Sequence, residues 1–103
     1  MKPPELSEEQ RAAALAKAAE ARRVRAEMKE LLKTGTISFS ELLQRAAEEE
    51  LIGGIKVESL LAAMPGTGKV KAKRLMEKYD IADNRRLRGL GERQRAGLLS
   101  EFS

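Results

Sequence analysis

The chain contains no cysteine and no histidine. Without cysteine there is no disulfide, no thiolate zinc site and no cysteine nucleophile. Without histidine it lacks the commonest general base and the usual transition-metal ligand, so Ser-His-Asp and His-metal schemes are excluded. The aromatic residues are Phe39, Tyr79 and Phe102 alone, too few for a base-stacking platform of the single-strand-binding kind. No apolar run approaches the ~18 residues of a membrane span. Residues 1–20 also lack the apolar core of a signal peptide. A soluble, cytoplasmic chain with no membrane partner is expected. Glu48-Glu49-Glu50 is a charge run without the aspartates of a calcium loop. Neither a metal nor a cofactor is expected.

What the chain has is charge, unevenly spread. Its 103 residues allow one modest core. They hold 20 Lys and Arg against 16 Asp and Glu. Residues 1–35 net +2, residues 36–62 net −3 and residues 63–103 net +5. A basic block beside an acidic one draws polyanions to one end of a molecule.

The punctuation predicts an all-α fold: a long N-terminal helix followed by a compact helical domain. Residues 1–6, with Pro3-Pro4, read as a flexible leader. Ser7 with Gln10 is a capping-box pair that opens a helix over 7–34, and Gly35 supplies its stop. Val24, Met28, Leu31 and Leu32 form a docking stripe on its second half. Its first half offers only alanines and Leu15, so that part is expected to project. Residues 35–103 make the domain. Ser38 with Glu41 caps a helix running towards Glu48-Glu49-Glu50, and Gly53-Gly54 breaks the chain. A short helix over Lys56–Ala63 ends at Pro65. A helix follows Gly66-Thr67-Gly68 and runs to Tyr79, with Ala72, Leu75, Met76 and Tyr79 on its inner face. After a connector over Asp80–Gly91, a last helix from Glu92 is expected to turn Ala96, Leu99 and Phe102 inward. Nothing alternates with period two, so no strand is expected.

Three motifs carry chemistry. Met64-Pro65-Gly66-Thr67-Gly68-Lys69-Val70-Lys71-Ala72 places two glycines just before a helix, followed by Lys69, Lys71 and Lys73. A helix start carries about half a positive charge, and missing Cβ atoms let a phosphate approach its amides. This is the layout of a helix-hairpin-helix, which grips duplex phosphates without reading bases. The spacing is wrong for a Walker lysine, and no strand precedes it. The second motif, Asn84-Arg85-Arg86-Leu87-Arg88-Gly89-Leu90-Gly91, packs Arg85, Arg86 and Arg88 into a turn that Leu87 and Leu90 can pin to the core. Its guanidinium groups suit phosphates or a narrow minor groove. The third is a basic line along the first helix, Arg11, Arg22, Arg25 and Lys29. Arg22, Arg25 and Lys29 are further candidates for a phosphate track, although Glu20, Glu27 and Glu30 are interspersed. Lys69 as a Schiff-base nucleophile would need a base-flipping pocket, for which the chain offers no material. Catalysis is not expected.

The stretches Ser7-Glu8-Glu9-Gln10-Arg11-Ala12-Ala13-Ala14-Leu15, Ala21-Arg22-Arg23-Val24-Arg25-Ala26-Glu27, Gly68-Lys69-Val70-Lys71-Ala72 and Arg85-Arg86-Leu87-Arg88-Gly89-Leu90-Gly91-Glu92-Arg93-Gln94-Arg95 closely resemble the actinobacterial integration host factors. The resemblance runs over nearly the whole chain in the same order. It implies a long helix joined to a helix-two-turn-helix domain, in a nucleoid-associated protein that is not an enzyme. That family binds duplex DNA with little sequence preference, bends and compacts it, and supports phage integrase recombination on shared DNA. The resemblance puts the family's phosphate-gripping turn at Gly66, Gly68, Lys69, Val70 and Lys71, and its arginine cluster at Arg85, Arg86 and Arg88. A monomer in solution is expected. On the residues alone two other readings stay open, an RNA- or ribosome-binding basic module and a protein-docking module whose arginine turn meets an acidic partner.

Overall fold

The computed structural model describes residues 7–102. The leader expected over residues 1–6 and the final residue of the 35–103 domain lie outside the described residues. Within them the chain forms α1 (Glu8–Lys33), α2 (Phe39–Glu48), α3 (Glu50–Gly53), α4 (Val57–Leu61), α5 (Gly68–Lys78), a 3-10 turn over Leu87–Gly89 and α6 (Glu92–Glu101). The all-α expectation holds.

Both expected capping boxes are made. The Ser7 hydroxyl accepts from the Gln10 amide at 3.1 Å while the Ser7 amide donates to Gln10 Oε1 at 3.0 Å. Ser38 and Glu41 repeat the exchange at the start of α2. Each such pair satisfies two of the amides that a helix start leaves orphaned. With 26 residues α1 is a rod of about 40 Å. Met28 and Leu32 of its second half are buried, with Val24 and Leu31 packed against the same core. Residues 8–20 are exposed throughout, so the first half of α1 takes no part in that core.

The core gathers apolar side chains from every element, including Phe39, Leu42, Leu43, Ile52, Val57, Leu60, Leu61, Leu75, Met76, Leu87 and Leu98. Phe39 and Phe102 close its edge, with ring centroids 5.2 Å apart. Three local expectations need correction. The short helix is shorter than Lys56–Ala63, because Ala62–Thr67 form successive turns ahead of α5. Helix α3 was not expected. Its four residues follow Glu49, whose extended backbone separates it from α2. In α6 it is Leu98 that is fully buried and Ala96 that is exposed; Leu99 and Phe102 pack against the core.

The register of α6 has a physical cause. A Cβ on Gly97 would lie 2.2 Å from Tyr79 Cε1, so the Tyr79 ring lies on the helix backbone there. Tyr79 and Lys78 both donate to Glu101 Oε1 at 2.7 Å, tying the end of α5 to α6. A helix-interior glycine costs about 1 kcal/mol relative to alanine, and Gly97→Ala is nevertheless expected to lower the melting temperature. In a Tyr79→Ala background the same change is expected to raise it. A thermal double-mutant cycle reads the sign reversal.

The hydrogen bond from Lys78, then that from Tyr79, hold the Glu101 carboxyl below its ordinary pKa. A depressed carboxyl contributes stability above its unfolded pKa, and that contribution disappears as pH falls through the folded value. Glu101→Gln is therefore expected to lower the melting temperature at neutral pH. The difference from the unsubstituted chain should close on acidification below the carboxylate range.

Candidate nucleic-acid interface

The glycine turn is built as its sequence requires. Gly66 and Gly68 adopt φ of +75° and +68°, the left-handed region that strains any residue with a Cβ. A Cβ at either position would meet no atom within 4 Å. The backbone conformation demands glycine there, and the outer side of the turn is open to a ligand. Thr67, the cap residue of α5, makes no side-chain capping bond, and the first turn of α5 holds no acidic residue. It holds Lys69 and Lys71 instead. Cations at a helix start oppose the macrodipole unless an anion sits among them.

The arginine connector is stitched to the linker between α3 and α4. The Val57 amide donates to the Arg85 carbonyl at 2.9 Å, and the Leu87 amide to the Ile55 carbonyl at 3.0 Å. Lys56 and Arg86 are thereby paired in a single antiparallel bridge. Leu87 is buried and Leu90 packs against the core, as expected of residues that pin the loop. The three arginines differ in their bonds. Arg85 Nη1 donates to the Gly89 carbonyl at 2.7 Å, and Arg86 Nη1 donates to the Gly54 carbonyl. Arg88 makes no hydrogen bond or ion pair among the described residues. A guanidinium has five N–H donors, so Arg85 and Arg86 can tether the loop and still face a ligand.

Packing α1 across this region brings the three motifs together. A groove of about 780 Å³ runs between α1 and the glycine turn, lined by Arg22, Arg25, Lys29 and Lys33 on one side and by Met64, Gly66 and Gly68 on the other. A second, of about 320 Å³, shares Arg25 and is lined by Lys56, Arg86 and Arg88. A third, of about 230 Å³, holds Lys29, Lys56 and Lys69. The three adjoin through Arg25, Lys29 and Lys56. Together they gather eight cations and three carboxylates, Glu30, Glu50 and Glu58.

The interspersed acids of α1 are partly engaged elsewhere: Glu20 and Glu27 flank Arg23, at 4.0 and 3.1 Å. Arg22, Arg25 and Lys29 form no ion pair among the described residues. Arg11 does not line these grooves, nor do Val70, Lys71, Lys73 or Arg85. Lys71 stands near enough to Glu101 to help hold that carboxyl low. Lys33 and Lys56 are groove residues that the sequence reasoning missed. Lys56 had a signal, as one of only two cations in the acidic stretch 36–62.

The chain is similar to several known proteins. Residues 32–102 match the model of the S13-like H2TH domain. The integration host factor of Mycobacterium tuberculosis is 54% identical over 99 residues, covering 96% of this chain and 94% of that protein. That of Streptomyces coelicolor is 52% identical over 99 residues, covering 96% and 92%. The chain belongs to the actinobacterial integration host factor family. A solved structure of another integration host factor, described as sIHF bound to an 8-base-pair palindromic DNA, superposes with a TM-score of 0.82 at 48% identity. It covers 85% of this chain and 99% of its own. In integration host factor terms, the matched domain begins at the last residues of α1, where Leu32 enters the core. Among the described residues no helix is long and apolar enough to cross a membrane.

Proposed function

We propose that this chain is a nucleoid-associated protein that binds double-stranded DNA through phosphate contacts with little sequence specificity. It bends and compacts the duplex, and so assists integrase-mediated site-specific recombination. The observation that carries the reading is the junction of three grooves, which sets the glycine turn, the α1 cations and the arginine connector side by side.

Each part has a defined task. The open amides of Gly68, Lys69 and Val70, with the Lys69 ammonium, take one phosphate stretch. Arg86 and Arg88, from a loop tethered by Leu87, take another. Arg22, Arg25 and Lys29 carry the positive surface between them, while Lys71, Lys73 and Arg85 extend it outward. Two separated grips impose a bend whose elastic cost is about 1–6 kcal/mol. In this organisation α1 acts as a rod over 7–34, and 35–103 is the binding domain. The protein is a monomer in solution and meets a phage integrase on shared DNA. Its role is architectural and not enzymatic. The DNA complex of the 48%-identical relative supports the duplex as ligand, and the name its relatives share supports the recombination role.

Ring closure of a duplex near one persistence length, about 150 base pairs, tests the bend. Ligation into circles should accelerate at protein concentrations that saturate the duplex. Unchanged closure at saturation would overturn bending while leaving binding in place.

A further inference from the structure

Val70 is 68% exposed, and it shares with Leu15 the distinction of being a large apolar side chain left in solvent among the described residues. It occupies the third helical position of α5, between Lys69 and Lys71. At that position α1, α2 and α6 carry Gln10, Glu41 and Gln94, whose side-chain oxygens accept from the cap residue's amide at 3.0, 3.4 and 3.0 Å. In α5 a valine takes that place, and the cap makes no side-chain bond. A β-branched residue is a poor helix former, and an exposed one gains nothing from burial. Neither capping, propensity nor packing accounts for it. Residues that defy local folding preference concentrate at functional positions.

We infer that Val70 packs on the deoxyribose between two gripped phosphates and thereby discriminates DNA from RNA. The inference rests on the duplex-DNA reading above. The amides and lysines around Val70 hold phosphates, and what a nucleic-acid strand presents between successive phosphates is its sugar. A deoxyribose offers an apolar C2′ edge to the valine methyls. Ribose offers a hydroxyl, both donor and acceptor, and covering it with methyl groups leaves it without a partner. This contact releases no counterion, so it adds affinity without adding salt dependence.

The test is Val70→Thr, which keeps branching and size and replaces one methyl with a hydroxyl. A random-sequence DNA duplex and the RNA duplex of the same sequence are titrated with the full chain and the variant across a salt series, with melting temperature as the folding control. The unsubstituted chain should favour DNA. The variant should lose about tenfold in the DNA-to-RNA affinity ratio with an unchanged log–log salt slope. Lys69→Ala, measured alongside, should instead flatten the slope on both duplexes. Equal affinity of the unsubstituted chain for both duplexes overturns the discrimination, as does an unchanged ratio in a folded variant. Val70→Ile, which is apolar and branched, should keep the ratio. A ratio lost equally in Val70→Ile overturns the apolar-contact account. Failure of the unsubstituted chain to bind DNA at low salt sinks the duplex reading itself.

Discussion

Replacing Arg25, Lys69 and Arg88 together by alanine is expected to weaken binding to a random-sequence duplex at least 100-fold while leaving the melting temperature nearly unchanged. These residues come from α1, the first turn of α5 and the arginine connector. Each lines one or two of the adjoining grooves. None makes a hydrogen bond or ion pair among the described residues, so the folded state loses no partner when they go. A hydrogen bond to a charged group is worth about 1.5–3 kcal/mol, and three such losses exceed a factor of 100 even after solvent compensation. The log–log salt slope should become shallower by about 0.9 for each phosphate contact removed. Arg86→Ala should behave differently. Its bond to the Gly54 carbonyl holds the connector to the α3–α4 linker, so binding and thermal stability should fall together. Fluorescence anisotropy across a salt series, paired with thermal melts by circular dichroism, separates the two classes.

Gly53→Ala is expected to be strongly destabilising. A Cβ at residue 53 would lie 2.7 Å from the Ala46 carbonyl oxygen and 3.4 Å from Arg88 Cβ. The first contact is with helix backbone, which cannot swing aside as a side-chain tip can. Forcing a methyl into such a site costs about 1–3 kcal/mol. For a domain of this size each kcal/mol lowers the melting temperature by about 4–8 °C. The neighbouring Gly54 is the internal control. Its nearest contact would be 3.4 Å, to the Glu50 carbonyl oxygen, and Gly54→Ala should cost far less. Because Gly53 also seats the chain at Arg88, Gly53→Ala should disturb duplex binding, an effect on function transmitted through packing. Equal melting temperatures for the two variants would contradict the packing described at this crossing.

Local chemistry was the legible part of this chain. Ser7 with Gln10 and Ser38 with Glu41 announced two helix starts because a capping box is complete within four residues. The stripe Val24, Met28, Leu31 and Leu32 announced which part of α1 would dock. The glycine turn and the pinned arginine connector could be read for the same reason. What the sequence hid is non-local. The groove that pairs Arg25 and Lys29 with Gly66 and Gly68 joins segments about 40 residues apart, and no periodicity encodes that crossing. The bonds of Arg85 and Arg86 to the carbonyls of Gly89 and Gly54 are likewise set by the fold and carry no signal in the sequence. On α6 the inward placing of Leu99 and Phe102 was legible, whereas Leu98 in place of Ala96 was not, because its apolar residues do not line one face and leave the register to Tyr79 and Gly97. Helix α3 escaped because one turn is too short to show a period.

In the proposed function the joined basic surface holds duplex DNA by its phosphates. Its most direct test is a titration of a labelled random-sequence duplex with the full chain at several salt concentrations, with RNA of matched sequence as competitor. Tight binding at low salt, a steep negative log–log slope of about −0.9 per phosphate engaged, and poor competition by the RNA are expected. Absence of duplex binding at low salt, or affinity indifferent to salt, would contradict it.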